Sequence, residues 1–265
     1  INTYTSRFSR KVTVSAGKIL LRHLATHIAG TSRQIVSEYG FEGSVVNKVK
    51  LSALHCGFDV ENFRLDYGKS RRAIRCEFGW EEDVKIILFV GRLDSTTNGS
   101  INQKNPEFAL EVMRECIEKD QSIRCLMVGG GDGIKGQLLD KVNVWGLKKK
   151  ILLTGVRMDI AQLMTGADLL LFPSLAEGLG MVAVEAQSSG LTVLTSDTTP
   201  RECAVIPEMV TFKSINMPSS DWADEALKLI NLPCPDKAKC NLAIKNSPFS
   251  IDNSVHRLIQ MYAYD

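Results

Sequence analysis

Two carboxylates carry the most legible chemistry in this sequence. Glu177 and Glu185 are separated by seven residues within Phe172-Pro-Ser-Leu-Ala-Glu-Gly-Leu-Gly-Met-Val-Ala-Val-Glu-Ala-Gln-Ser-Ser-Gly190. A buried strand should end at Phe172–Pro173, followed by a loop holding Glu177 and by Gly178–Leu179–Gly180 leading into a helix. Met181, Val182, Ala183, Val184 and Ala186 make that helix apolar nearly all round, so it must be buried. Glu185 is its only formal charge and needs a partner. Glycines at a helix start let backbone N–H groups reach an anion, which the helix dipole favours. Glu185 lies about one and a half turns in, roughly 7–8 Å along the axis. A ribose beside phosphates at the helix start would meet it there, and a carboxylate bidentate to two vicinal hydroxyls satisfies both groups. A structural Lys or Arg would satisfy it too. Glu177 precedes the helix and could face whatever hangs from the terminal phosphate.

A second group of residues offers cations. Gly91–Arg92–Leu93–Asp94 follows the apolar run KIILFV, and eleven residues separate Arg92 from Lys104. Gly91 suits a turn that a ligand approaches closely. Arg92 and Lys104 could converge on one strand end and clamp a diphosphate, or they are surface charges flanking a polar loop. After Val128, Gly131, Gly133 and Gly136 formally match the dinucleotide fingerprint. The next strand lacks the expected ribose-binding acid, so a tight turn that leaves room for a ligand is the better reading. Seven Cys without a C-x-x-C pair and four scattered His argue against both a zinc site and a disulfide framework. Free thiols in a reducing cytoplasm are expected instead.

The elements that must position these residues recur regularly. Strand-like apolar runs occupy Lys85–Val90, Arg124–Val128, Lys150–Thr154, Asp168–Phe172 and Leu191–Thr195, with a weaker one at Val210–Phe212. Each is continuous rather than alternating, as strands buried on both faces read. Helical patterns lie between them at Asn105–Asp120, 134–146, 157–166, 180–189 and 219–231. The alternation predicts an α/β fold: a doubly wound, Rossmann-like parallel sheet with helices on both faces. Ligands then bind outside the carboxyl ends of the strands. The first 60 residues differ, with a helix at Gly17–Thr26, a strand at His27–Gly30, a helix at Ser32–Tyr39 and a strand at Lys48–Leu54. Residues 61–83 read as a charged connector with one helix, and 251–264 as a final helix after Asn246–Ser247–Pro248.

The chain has 265 residues, 44% hydrophobic and 23% charged, an ordinary globular composition. No apolar run approaches the roughly 20 residues of a membrane span. A net charge of +2 points to no particular partner, and no nucleic-acid partner is expected. Residues 1–50 alone carry eight Lys/Arg against two acids, which can favour an anionic membrane surface or simply be a solvated face. The first residue is Ile rather than Met, and no secretory signal follows, so a processed chain or a fragment is expected.

Taken with their spacing, these residues closely resemble the signature of the group 1 (family 4) glycosyltransferases of GT-B fold. Gly91–Arg92 and Lys104–Asn105 are similar to that family's diphosphate-binding pair, and Val128-Gly-Gly-Gly-Asp to its second strand-end turn. Leu153-Thr-Gly-Val-Arg157 resembles its base-binding loop, and Gly166-Ala-Asp-Leu-Leu-Leu-Phe-Pro-Ser its strand into the Glu loop. His27-Ile-Ala-Gly-Thr-Ser and Leu54-His-Cys-Gly-Phe-Asp-Val-Glu-Asn-Phe63 resemble the end of an amino-terminal domain and its linker. The wording through Ser-Asp-Thr-x-Pro-x-Glu is similar to members acting in exopolysaccharide and capsule synthesis. The resemblance implies a metal-independent, retaining transfer of a hexose from a nucleotide diphosphate donor, a UDP-sugar above all, to a glycan or lipid-linked acceptor. No cofactor is implied beyond the donor itself. It gives Arg92, Lys104 and Glu177 catalytic roles. It assigns donor binding to Gly91, Val156, Arg157, Gly178, Leu179, Gly180 and Glu185. It implies a cytoplasmic protein, peripheral at the membrane if it touches one. It divides the chain into a remnant of the acceptor domain with linker (1–60), a donor-binding domain (61–245) and a crossover helix (246–265). The final helix would then lack a domain to lean on, and the chain, as the carboxy-terminal half of a larger enzyme, would be inactive alone. A nucleotide-sugar binding module, or a UDP-sugar epimerase or hydrolase of the same fold, remain the alternatives.

Overall fold

A computed structural model describes residues 27–38, 50–93, 103–131 and 133–263, together with Gly17, Leu24 and Ala25. The helix expected at Gly17–Thr26, most of the basic residues of 1–50, the polar spacer from Asp94 and the turn residue Asp132 lie wholly or largely outside the described residues.

Six strands form one parallel sheet: β3 (Lys85–Val90), β4 (Ile123–Val128), β5 (Ile151–Gly155), β6 (Leu169–Phe172), β7 (Val193–Ser196) and β8 (Val210–Lys213). They are ordered β5-β4-β3-β6-β7-β8, and every pairing is parallel. Two short strands before them, β1 (His27–Gly30) and β2 (Lys50–Ala53), pair parallel in a separate sheet. The strand runs expected from sequence match within two residues. Both faces of the sheet are apolar: Ile86 and Leu88 of β3 join one buried cluster, Ile87 and Phe89 the other. That is why the strands read as continuous hydrophobic runs.

Helices cover both faces. On the first lie α2 (Tyr67–Phe78), α5 (Ile160–Gly166), α6 (Met181–Ser188) and α8 (Lys237–Lys245), anchored by Ile74, Leu163, Val184 and Ile244. On the second lie α3 (Pro106–Lys119), α4 (Lys135–Val144) and α7 (Ser219–Ile230), anchored by Met113, Leu138 and the fully buried Trp222. α1 (Arg33–Glu38) follows β1. The helix α8 has no counterpart in the sequence reading, because Pro233 and Pro235 stand just before it and its surface is mostly polar. The chain builds outward from β3 in one direction through β4 and β5, then in the other through β6, β7 and β8. The strand order therefore reverses between β3 and β6, and a crevice opens at their carboxyl ends.

The amino ends of the same two strands are tied by Asp168. Its carboxylate accepts from Arg71 Nη1 at 3.1 Å, from Arg75 Nη2 at 3.2 Å and from the Ile86 amide at 2.8 Å. Arg75 is 1% exposed, and its other bonds go to the carbonyls of Val84 (2.6 Å), Gly166 (3.2 Å) and Arg71 (3.3 Å). Burial lowers its pKa, with Arg71 adding to the shift and Asp168 opposing it.

The last helix, α9 (Ile251–Tyr262), meets the amino-terminal segment at its start. Phe58 and Ser250 form a parallel bridge, Ser254 Oγ donates to the His55 carbonyl at 2.7 Å, and the His55 and Phe249 rings meet edge-on at 4.7 Å. The helix thus folds back on the amino-terminal segment. None of its residues is buried, and Ile251, Val255, Leu258, Ile259 and Tyr262 are exposed. Among the described residues no helix is long and apolar enough to cross a membrane.

Removing Asp168 strands the buried Arg75 charge. Asp168→Ala is expected to lower the unfolding free energy by about 3–5 kcal/mol in a urea titration. A loss below about 1 kcal/mol, the scale of an exposed pair, would show that the hub is solvated.

Candidate functional site

The loops after β3 and β6 meet at the crevice. The Leu175 amide donates to the Gln103 carbonyl at 2.7 Å, which stitches the β6 loop to the turn before α3. That turn enters α3 through Asn105, whose φ of 53° is the one positive value on a non-glycine among the described residues. Such backbone costs of order 1–3 kcal/mol and concentrates at functional sites. Its effect here is to bring Lys104 over the crevice. Lys104 Nζ lies 2.6 Å from Glu177 Oε1 and 4.9 Å from the centroid of the Phe172 ring. A Cβ added to Gly91 would meet the Lys104 side chain at 3.1 Å, so Gly91 and Lys104 are in contact. Arg92 follows on the same loop and is exposed.

The Glu177 loop is held from below by the polar end of β7. Thr195 Oγ1 donates to the Phe172 carbonyl at 3.0 Å and Thr198 Oγ1 to the Ser174 carbonyl at 2.7 Å. Ser196 Oγ also donates to the Ser174 carbonyl. At the far end of the loop Gly180, with φ of 86°, starts α6. A side chain there would collide with Thr199 Cγ2 at 2.9 Å. No side chain caps the first turn of α6. Leu179 is buried in the core and pins the loop, while Gly178 is exposed beside Thr31, whose hydroxyl lies 3.5 Å from the Gly178 carbonyl.

Glu185 is half-buried in the middle of α6. Among the described residues it has no hydrogen-bond or ion-pair partner, so the structural Lys or Arg that could have satisfied it is not there. Burial pushes its carboxyl above the usual range, against a smaller opposing pull from Lys104. An acid that is desolvated, unpartnered and within the field of a lysine has capacity left for a ligand's hydroxyls.

The loops after β4 and β5 complete the edge. The Gly129 amide donates to the Gly155 carbonyl at 2.9 Å, and a Cβ on Gly129 would fall 1.7 Å from the Gly91 carbonyl oxygen, so only glycine allows this approach. Val156 is 73% exposed and lies against Gly130, at the β4 end. Arg157 goes elsewhere. Its guanidinium pairs with Asp159, at 2.8 Å from Nε, and with Glu77 on α2, at 2.9 Å from Nη2. The structure thus brings together Gly91, Lys104, Glu177, the Gly178–Gly180 turn and Glu185, with Arg92 and Val156 on the adjoining loops, and turns the Arg157 side chain away. Among the described residues no group of three or more His, Cys, Asp or Glu could hold a metal ion.

One residue without a role in the sequence reading stands out. Glu202, in the 3-10 turn Arg201–Cys203, accepts from the Arg33 amide at 2.7 Å and the Gln34 amide at 3.3 Å, and its other oxygen lies 3.0 Å from His55 Nε2. It fastens the amino-terminal segment to the sheet's carboxyl edge. An acid two residues after Pro200 was visible in sequence; its partners were not.

The profile of a known family, "Glycosyl transferases group 1", matches residues 84–231, the span that holds these loops. The chain belongs to the group 1 glycosyltransferases. It is similar to the D-inositol 3-phosphate glycosyltransferase of Nocardia farcinica, with 27% identity over 209 residues, 76% of this chain and 43% of that protein. It is also similar to an Escherichia coli protein named UDP-Gal:alpha-D-GlcNAc-diphosphoundecaprenol alpha-1,3-galactosyltransferase, with 30% identity over 167 residues, 60% of this chain and 40% of that one. The chain therefore spans less than half the length of both. Among solved structures, Anabaena Alr3699/HepE in complex with UDP shares the fold at a TM-score of 0.77 and 17% identity, over 98% of this chain and 68% of that one.

The environment of Glu185 makes a pH prediction. Its raised pKa means that the folded chain holds the proton more tightly than the unfolded chain. Its contribution to stability is then full below the ordinary carboxylate range and lost as pH rises through the folded pKa. Glu185→Gln is therefore expected to raise the Tm of the unliganded protein at neutral pH, with the gain shrinking in acid. Identical Tm profiles for the two chains would show that the carboxyl is well solvated.

Proposed function

We propose that this chain is the donor-binding portion of a retaining, metal-independent glycosyltransferase that takes a UDP-sugar and delivers the hexose to a glycan or lipid-linked acceptor. The observation that carries the reading is the Lys104–Glu177 pair at the β3/β6 crevice, with the unpartnered Glu185 nearby on α6. In this reading the donor diphosphate lies across Lys104, Arg92 and the uncapped amides of α6. Positive charge gathered there stabilises the leaving diphosphate, the role a bound cation would otherwise fill. Glu185 accepts from the ribose hydroxyls. Glu177 accepts from the hexose hydroxyls and sets the anomeric carbon against the phosphate. Gly91, Gly178 and Gly180 let the backbone come close, with Leu179 as the anchor. Val156 borders the base; the Arg157 side chain reaches it only by releasing Glu77 or Asp159.

Transfer breaks the bond from the anomeric carbon to the phosphate oxygen and forms one from that carbon to the acceptor oxygen. The acceptor proton passes to the leaving phosphate on the same face, which gives retention. No other base is required. The relatives support the donor and acceptor classes by their names: one is a UDP-galactose enzyme whose acceptor carries a diphosphate-linked lipid. We place the protein in the cytoplasm, with peripheral membrane contact supported by the basic excess of residues 1–50. The chain spans 43% and 40% of the two relatives, which favours a second statement: alone it binds the donor without turning it over.

Calorimetry without divalent metal tests the site. UDP should raise the Tm, since a ligand of the native state stabilises it by mass action. Glu185→Ala should weaken UDP by roughly 10- to 150-fold, corresponding to about 1.5–3 kcal/mol for a charged hydrogen bond. Glu177→Ala should leave UDP affinity unchanged and remove the added affinity of the UDP-sugar. Absence of UDP, GDP and ADP binding at millimolar concentration would overturn the assignment. A radiolabelled donor assay with a lipid-linked acceptor tests the second statement. No transfer is expected from the chain alone, and robust turnover would place an acceptor site within these residues.

A further inference from the structure

A cavity lies away from the strand ends. About 690 Å3 of space, open to solvent on one side, lies between α1, the end of β2, His55 and α9. That volume falls in the roughly 300–1,000 Å3 range of small-molecule sites. α9 turns a polar stripe toward it: Asn253, His256, Arg257 and Gln260 line the cavity at helical spacing, with Ile251, Val255, Leu258, Ile259 and Tyr262 exposed and Met261 half-buried beside Ser52. The inward face is suited to water or to a polar ligand.

Its charge selects the ligand. Among the described lining residues are Arg33, Arg257, His55 and His256, and no Asp or Glu. Glu202, just outside, pairs with His55 at 3.0 Å and takes the Arg33 and Gln34 amides, so its capacity is spent on the backbone and the imidazole. His256 is engaged with Gln260 at 2.8 Å. The guanidinium groups of Arg33 and Arg257 have no hydrogen-bond or ion-pair partner among the described residues. Two such cations facing one concave space attract an anion, and the planar guanidinium fork fits phosphate oxygens in pairs.

We propose that this cavity is a second anion site, separate from the donor crevice, which binds a phosphate-bearing ligand between Arg33 and Arg257. A soluble diphosphate and a phosphorylated lipid headgroup present the same chemistry, and two experimental arms tell them apart. In the first, inorganic pyrophosphate is titrated into chain saturated with UDP, which occupies the donor crevice. In the second, the chain is sedimented with vesicles of phosphatidylcholine, with and without phosphatidic acid. Binding is expected in at least one arm. It should fall at least about tenfold in Arg33→Ala/Arg257→Ala and in the single variant Arg257→Glu, in line with the loss of a charged hydrogen bond. Both variants should keep wild-type UDP affinity, which also reports that they fold. Pyrophosphate binding alone assigns a soluble ligand, and phosphatidic acid binding alone a lipid one. Should UDP itself fail to bind, the donor reading falls, and the arginine variants still report on this cavity with pyrophosphate alone. No binding in either arm, or binding that both variants retain, overturns the proposal.

Discussion

An ammonium group and a carboxylate, 2.6 Å apart and both mostly withdrawn from water, occupy the place where the strand order of the sheet reverses. Much of the surrounding structure serves that pair. The left-handed Asn105 delivers Lys104, the polar end of β7 fixes the carbonyls beneath Glu177, and Gly91 leaves room for the lysine stem. Without a ligand, each charge compensates the other in a setting where an unpaired charge is costly. A diphosphate entering the crevice would offer Lys104 a stronger counter-ion and free Glu177 for hydroxyl groups. One pair would thus hold the site together and divide its labour once a diphosphate enters.

The sheet was legible because its strands are buried on both faces, so KIILFV and DLLLF have no polar alternation to confuse them with helices. Glu185 stands out for the converse reason: it is the one charge in an apolar helix, and it is half-buried there. What could not be read depends on long-range contact. Arg157 is held by Asp159, two positions on, and by Glu77, eighty positions earlier; nothing local to the Val156–Arg157 pair announces the second partner. Glu202 finds its amide partners 169 and 168 residues away. α8 hid behind two prolines. Lys104 and Glu177 were each singled out in separate motifs, but their direct pairing depends on a turn conformation that sequence pattern does not encode.

The amino-terminal segment is coupled to the crevice edge at two points. Thr31 touches Gly178 in the Glu177 loop, and Glu202 holds the start of α1 and His55. α9 closes the circuit by packing its Ser254 on the His55 carbonyl. A displacement of this segment would therefore be felt at the loop that carries Glu177. The cavity between α1 and α9 lies on the same segment, so an anion bound there would act on the same connections.

Whether the β3/β6 crevice receives a nucleoside diphosphate is tested most directly by a crystal structure of the chain grown with UDP. The diphosphate is expected within hydrogen-bond distance of Lys104 Nζ, the ribose hydroxyls on Glu185, and Glu177 turned from the lysine toward open space where the sugar would lie. UDP lodged elsewhere, with Lys104 still paired only to Glu177 and Glu185 still without a partner, would contradict that expectation.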